Sequence, residues 1–361
     1  MSGTSLDGVD AVLAKCPTEA PLQVLAHRHT PFDAALRSEL MALNTPGADE
    51  LHRASLAANA LSRVYARLVQ ALLQDAHVAA QDVAALGAHG QTVRHRPGEF
   101  DGNGYTLQLL NPALLAELTG ITVVADWRSR DVAAGGQGAP LVPAFHQAFF
   151  ARDAQQTLAV LNLGGIANLS VIGGEQVTGW DCGPGNALMD AWCERHTGAA
   201  FDANGQWAAS GTVSQSLLQQ LQQAAYFSQS PPKSTGRDVF HLGWLEGHLT
   251  SGEYSAQDVQ ATLCELTAWA CAKDLRLHAP QTQALAVCGG GALNTHLMQR
   301  LAANLPGVKV QTTEAWGLPV MQVEAAAFAW LASRTLRGLP GNQPAVTGAK
   351  GARLLGAIYP A

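Results

Sequence analysis

Three short glycine-rich turns, each beside an apolar, strand-like run, constrain this chain more than any other feature. They are SGTSLDG at residues 2–8, NLGGIANLS at 162–170 and CGGGALNTHL at 288–297. Glycine lets a backbone bend sharply and approach a ligand closely, and the aligned N–H groups of such turns make an anion-binding concavity. The third turn also opens onto a helix pattern, whose N-terminal end favours negative groups. A single turn of this kind reads equally well as a strand connection or a helix cap. Three of them in one chain point to a bound nucleotide.

The intervening sequence alternates strand and helix patterns. GVDAVLAKC reads as a strand, and Leu61, Val64, Leu68 and Leu72 recur at helical spacing within 51–77. VAALGAHG reads as a buried strand running into the loop GAHGQTVRHRPG, NPALLAELTG as a helix, ITVVAD as a strand, and WRSRDVAAGGQGAPLVP as a long loop. In the second half TLAVLNLGGIANLSVIGG repeats the strand, turn, strand order of the opening. A strand, tight loop and helix follow over VTGWDCGPGNALMDAWCERHTG. Val259, Leu263, Leu266 and Ala270 share one helix face, ALAVC is a buried strand, and PVMQVEAAAFAWLASRTL is a further helix carrying Glu324 near its start. Strands alternating with helices mean an α/β fold with at least partly parallel sheets. The echo between residues 3–15 and 160–173 suggests two related lobes, with the join near residue 145.

At 361 residues with 47% hydrophobic content, the chain can build a large core or two domains. The net charge of -6 with 22 Lys and Arg argues against a nucleic-acid surface. Six cysteines form no CxxC pair and read as buried free thiols. The first residues show no basic segment followed by an apolar run, and no apolar run approaches the about 18 residues that span a membrane, so a cytoplasmic protein is expected. GxxxxGK[ST], a dinucleotide GxGxxG after a strand, HExxH and GxSxG are all missing, which removes the usual marks of P-loop ATPases, zinc proteases and α/β-hydrolases.

Taken together and in order, MSGTSLDGVDAVLA, GAHGQTVRHRP, ADWRSRDVAAGGQGAPLVP, LNLGGIANLS, DCGPGNALMD, PPKSTGRD, AVCGGGALNTHL, VEAAAFAWLA and VTGAKGARLLGAIYP resemble the anhydro-N-acetylmuramic acid kinase family over nearly the whole chain. The resemblance implies a bilobal actin/Hsp70/sugar-kinase-like duplicated fold, ribonuclease H-like in each half, with an interlobe active-site cleft. Residues 1–145 would form the lobe with the first phosphate loop and sugar-binding segments. Residues 146–361 would form the lobe with the second phosphate turn, the catalytic acid and the adenosine-side turn. The implied reaction couples phosphorylation by Mg²⁺-ATP to hydrolytic opening of the 1,6-anhydro ring, giving N-acetylmuramic acid 6-phosphate and ADP in peptidoglycan recycling. The implied partners are a small-molecule sugar and, as a homodimer, a second copy of the chain, with no nucleic acid and no membrane.

Carried over residue by residue, Asp181 matches the catalytic base. Gly3, Thr4, Ser5, Leu6, Asp7, Gly8, Val9 and Asp10 match the first phosphate segment. Gly164, Gly165 and Asn168 match the second, and Gly289, Gly290, Gly291 and Asn294 the adenosine side. His89, Gln91, Thr92, Arg128, Arg130 and Glu324 match positions expected to touch the sugar, one arginine clamping its lactyl carboxylate. Asp7 and Asp10 offer hard oxygens for Mg²⁺, directly or through water. Read without the resemblance, Asp181 could equally cap the helix that begins near Asn186, and His89 could be a satisfied loop histidine. Trp127 is a candidate for stacking on the sugar. The resemblance also implies an apolar strand ahead of MSGTSLDG, so Gly3, Thr4 and Ser5 are expected to be held only from the strand after them and to fray. Rival readings are another sugar or acetate kinase, a nucleotide switch without a sugar, and a glycoside hydrolase that needs no nucleotide.

Overall fold

A computed structural model describes residues 1–3, 6–151, 156–174, 176–231, 233–236, 239–249 and 254–361. They form two compact units, Met1–Phe149 with Gln322–Ala361, and Phe150–Met321. The expected division kept 146–361 together; the chain instead returns to the first unit after Met321. The reason is apolar. Helix Val323–Leu336 buries Phe328, Leu331 and Ala332 with Val124, Trp127, Leu141 and Leu355, all of the first unit.

In the first unit, β1 (Gly8–Lys15) pairs antiparallel with β2 (Gln23–Pro31). A separate three-stranded sheet runs β12 (Ala357–Tyr359), β6 (Val123–Ala125), β3 (Leu86–Gly87). The segment GAHGQTVRHRPG, expected as a loop, contains β4 (Gln91–Pro97), which forms a hairpin with β5 (Gly104–Leu109). Its alternation explains the difference, since Gln91 and Val93 are buried while the residue between them is only partly so. The strand expected over VAALGAHG shrinks to two residues. A Cβ at Gly87 would lie 2.2 Å from the Phe328 carbonyl oxygen, so helix Val323–Leu336 runs hard against it. Helix Glu50–Asp75 buries Leu61, Val64, Leu68 and Leu72 as its spacing predicts. Helix Pro112–Thr119 starts at Asn111, whose side chain accepts from Leu114 N, and ends at Gly120 with φ +64°. The long loop after β6 folds into a short helix, Ser129–Ala133.

The second unit is organised on one five-stranded sheet, in the order β11 (Lys309–Thr312), β10 (Ala284–Cys288), β7 (Leu158–Leu163), β8 (Ile166–Gly173), β9 (Gln176–Pro184). β7, β8 and β9 form an antiparallel meander, whereas β10 lies parallel to both β7 and β11. The α/β class read from the alternation therefore holds in both units. Helix Ala256–His278, capped by the Ser255 side chain, supplies Leu263, Leu266 and Cys271 to one continuous core with Leu161, Trp180 and Leu285. All six cysteines are free and five are buried, as expected from their spacing. Among the described residues no helix is long and apolar enough to cross a membrane.

Candidate active site

In the second unit the Gly164–Gly165 turn, the Gly289–Gly291 turn and the Gly185–Asn186 segment meet at one end of the sheet. β7 and β10 are parallel neighbours, with Asn162 opposite Cys288, so the turns that follow them emerge side by side. The Gly164–Gly165 turn is gripped by the start of helix Ala187–Thr197. Asn186 N donates to Gly164 O at 2.8 Å, Gly185 N to Gly165 O at 3.0 Å, and the Asn186 side chain to Leu163 O at 2.9 Å. The glycines after β10 are needed for this approach. Gly289 has φ +81°, and a Cβ there would sit 2.4 Å from Asn162 Oδ1; one at Gly291 would sit 2.6 Å from Leu163 Cβ. At Gly290 the nearest atom would be 3.8 Å away, so its space is open to a ligand. Asn294 accepts from Leu297 N at 2.9 Å and caps helix Thr295–Asn304.

Asn162, Asn168 and Asp181 stand opposite one another on β7, β8 and β9. Directly paired residues share a face of the sheet, so these three half-buried side chains make one polar row beside the turns. Asn162 carries no role in the sequence reading, although its place at the end of an apolar strand marks it. Asp181 is no helix cap. Its Oδ2 accepts from Thr235 N at 3.0 Å, its main-chain N donates to Lys233 O at 3.1 Å, and Tyr226 Oη donates to its carbonyl at 2.7 Å. Burial pushes its carboxyl up to about 6, against the Thr235 hydrogen bond and the nearby Lys233 charge. A group so poised is ionised at neutral pH and more basic than an ordinary carboxylate. Lys233, Thr235 and Tyr226 were also missed as site residues; the placement of PPKSTGRD among the motif segments hinted at the first two, and no signal marked Tyr226.

In the first unit, Leu6 and Val9 point their side chains into the core and can offer a ligand only main-chain atoms. Gly8 is required by strand pairing, since a Cβ would meet Thr30 O at 2.3 Å. Of Gly3, Thr4 and Ser5, expected to fray, Gly3 is tied at its carbonyl, and the two residues before it are bonded too. Met1 and Asp10 exchange main-chain hydrogen bonds at 2.7 and 2.9 Å, Ser2 Oγ donates to Gly90 O at 2.8 Å, and Gly3 O accepts from the buried Gln91 amide at 3.0 Å. Thr4 and Ser5 lie outside the described residues. The Asp10 carboxylate accepts from His27 at 2.9 Å and His29 at 3.2 Å. Burial pushes it up, but the His27 hydrogen bond and both imidazoles outweigh that and hold it below its usual value. Asp7 is exposed. Among the described residues no group of three or more His, Cys, Asp or Glu could by itself hold a metal ion.

His89, Arg128 and Glu324 are brought together. His89 Nδ1 faces two carbonyl oxygens, Ser2 at 3.1 Å and Gly90 at 2.8 Å, so that nitrogen carries the proton. Nε2 is then the acceptor for Arg128 Nη2 at 2.9 Å, and Arg128 Nη1 donates to Gly138 O at 2.8 Å. Burial and Arg128 hold the imidazole well below its usual range, so it is a neutral prop for the guanidinium. Burial also lowers Arg128 to about 10, still charged at neutral pH. Burial raises the Glu324 carboxyl, opposed by the N-terminal amine and Arg128. Thr92 accepts from Gln108 across the hairpin, and Arg130 is exposed on the short helix after Arg128. Trp127 is only 1% exposed and donates to Ala88 O, so it is core and no sugar platform. The residue that shapes this loop is Asp131. Its buried carboxylate accepts from Gly138 N, Asn342 Nδ2 and Thr347 Oγ1 at 2.7–2.8 Å.

The family profile described as anhydro-N-acetylmuramic acid kinase matches residues 1–361. The chain belongs to that family. A protein of Variovorax paradoxus (strain S110) bearing that name is 62% identical over 368 residues, covering 100% of this chain and 98% of that protein. One of Cupriavidus metallidurans is 58% identical, covering 100% and 96%. The crystal structure titled ROK hexokinase from Thermus thermophilus overlays with a TM-score of 0.36 at 12% identity, covering 90% of this chain and 100% of that one. Membership of the anhydro-N-acetylmuramic acid kinase family makes the chain a kinase.

Proposed function

We propose that this chain phosphorylates 1,6-anhydro-N-acetylmuramic acid from ATP while water opens the anhydro ring, producing N-acetylmuramic acid 6-phosphate and ADP for peptidoglycan recycling. Asp181 carries the reading: a carboxylate raised to about 6, one oxygen tied to Thr235 N, in a polar row beside two glycine turns. It takes a proton from water as the water oxygen bonds to the anomeric carbon, on the face opposite the bridge. The bond from that carbon to the 6-oxygen breaks, and the 6-oxygen takes the γ-phosphoryl group. No acid is needed to protonate the departing oxygen, so one carboxylate suffices. The Gly164–Gly165 turn and Gly289–Gly291 receive the nucleotide through main-chain groups, and positioning with charge neutralisation supplies most of the catalysis. Arg128, held by His89 and Gly138 O, is the clamp for the lactyl carboxylate. The carboxylates offered to Mg²⁺ are Asp7, which is exposed, and Asp10, whose Oδ1 accepts from two histidines. Mg²⁺, when bound, would neutralise phosphate charge.

The test is an assay of ATP with the anhydro sugar, read by mass. Product heavier by one phosphate and one water is expected; phosphate without water would make the protein an ordinary sugar kinase. Asp181→Asn should fold normally and lose about 10²–10⁴-fold in kcat. In the wild type, kcat should fall about tenfold per pH unit below about 6, as Asp181 takes up its proton and ceases to be a base. A flat profile from pH 5 to 7 would remove the base role.

A further inference from the structure

Behind Asp181 lies a closed ring of contacts that the reaction itself does not use. Lys233 Nζ is 2.8 Å from Asp274 Oδ2, with side chains 1% and 3% exposed. The contact is an ion pair by distance, without a well-aligned hydrogen bond. Asp274 belongs to helix Ala256–His278 and also accepts from Trp180 Nε1 at 3.1 Å, and Trp180 immediately precedes Asp181. The Lys233 carbonyl accepts from Asp181 N, closing the ring through the main chain. The Lys233 ammonium lies 4.9 Å from the centre of the Tyr226 ring, whose hydroxyl holds the Asp181 carbonyl. Two residues after Lys233, Thr235 N makes the bond to Asp181 Oδ2.

A buried ion pair is a poor device for stability, because desolvating both charges offsets their attraction. It is a good device for fixing a loop in one place. Without the pair, nothing else among these contacts ties the 233–236 segment to the helix behind it. We propose that Lys233 and Asp274 are positioning residues that lock the 233–236 segment, so that Thr235 N occupies one oxygen of Asp181 and leaves the other for the attacking water. The proposal rests on Asp181 as the base. Among the described residues the titratable groups around Asp181 include Lys233, Tyr226, Cys182, Cys271 and Asp274, with His278 and Lys273 beyond Asp274. Of these, Lys233 is the cation that favours the ionised carboxylate.

Two variants of the full chain test this, with Asp181→Asn as control. Lys233→Met removes the charge at similar length. Lys233→Met with Asp274→Leu replaces the pair by apolar groups and should fold at least as stably. Both should lower kcat by about 10–100-fold, the scale of a misplaced catalytic group, with KM for ATP and for the sugar within about twofold. In both, the acid limb of the kcat–pH profile should move to higher pH. A folded double variant with kcat within twofold and an unmoved acid limb would overturn the proposal and leave the pair purely structural. If Asp181→Asn itself turns over at nearly the wild-type rate, the base assignment fails instead, and the two failures are told apart by that control.

Discussion

The two units back their glycine-rich segments in different ways. In the second, the strand before the Gly164–Gly165 turn, β7, sits between β8 and β10 in a continuous five-stranded sheet. In the first, residues 3–7 precede β1, which among the described residues pairs with β2 alone, as β3 does with β6. A cavity of about 370 Å³ is lined by β1 residues Val9–Ala14 and by Leu86, Gly87 and Ala329, among others. The first unit compensates with discrete bonds: Met1 to Asp10, Ser2 to Gly90 and Gln91 to Gly3. A ladder shares its load over many residues, whereas a set of single bonds concentrates it, so the two units should respond differently to the same kind of damage.

The largest contrast should come from deleting buried methyl groups. Leu161, fully buried at the centre of β7, should cost about 2–5 kcal/mol on change to Ala. Val12, half-buried on β1 and lining the cavity, should cost about 0.5–1 kcal/mol on the same change, because few atoms pack against it. Denaturant titration of both variants checks this; equal losses would mean that β1 is packed on both edges in solution.

Next come the glycines. Gly8→Ala should destabilise the first unit by about 1–3 kcal/mol, since its Cβ would lie 2.3 Å from Thr30 O. Gly290→Val meets nothing closer than 3.8 Å at its Cβ, so the fold should survive while ATP affinity drops about tenfold or more, through crowding where main chain meets ligand. Calorimetric titration with ATP, beside a melting curve for each variant, separates the two outcomes. A Gly290→Val protein that melts early and binds neither ligand would show the open space to be illusory.

How much of this was legible in the sequence follows from the same difference. Regular patterns declared themselves: the helix face of Leu61, Val64, Leu68 and Leu72, the strand, turn and strand of 158–173, and the helices over NPALLAELTG and around Val259–Ala270 all rest on local periodicity. The glycine turns were visible in the residues themselves, and the resemblance singled out Asp181, which lies in the polar row beside two of them. Long-range pairings stayed hidden. Lys233 and Asp274 lie 41 positions apart (274 − 233) and Asp131 and Thr347 are 216 apart, and no local rule connects such residues. One sign was available: Asp274 continues the face of Leu266 and Ala270, and an acid on an apolar stripe demands a buried partner. The return of Gln322–Ala361 to the first unit was hidden too, because an Ala-rich apolar helix states that it must be covered but not by what.

The smallest effect tests the cavity itself by filling it. Ala286, fully buried on β10, has neighbours on both edges and both faces, and Ala286→Leu should cost about 1–3 kcal/mol through overpacking. Ala329, on helix Val323–Leu336, faces the cavity beside β1 and is only half-buried. Three added carbons there fit within the 370 Å³ and cover apolar wall, so Ala329→Leu should be neutral or stabilise by up to about 1 kcal/mol. Its sugar and ATP affinities should stay within about twofold, since the change touches none of Arg128, Glu324 or the glycine turns. The measurement is the difference between the two denaturation midpoints. A loss at Ala329 as large as that at Ala286 would mean that the space beside β1 is filled in solution, and that the first unit is as continuous as the second.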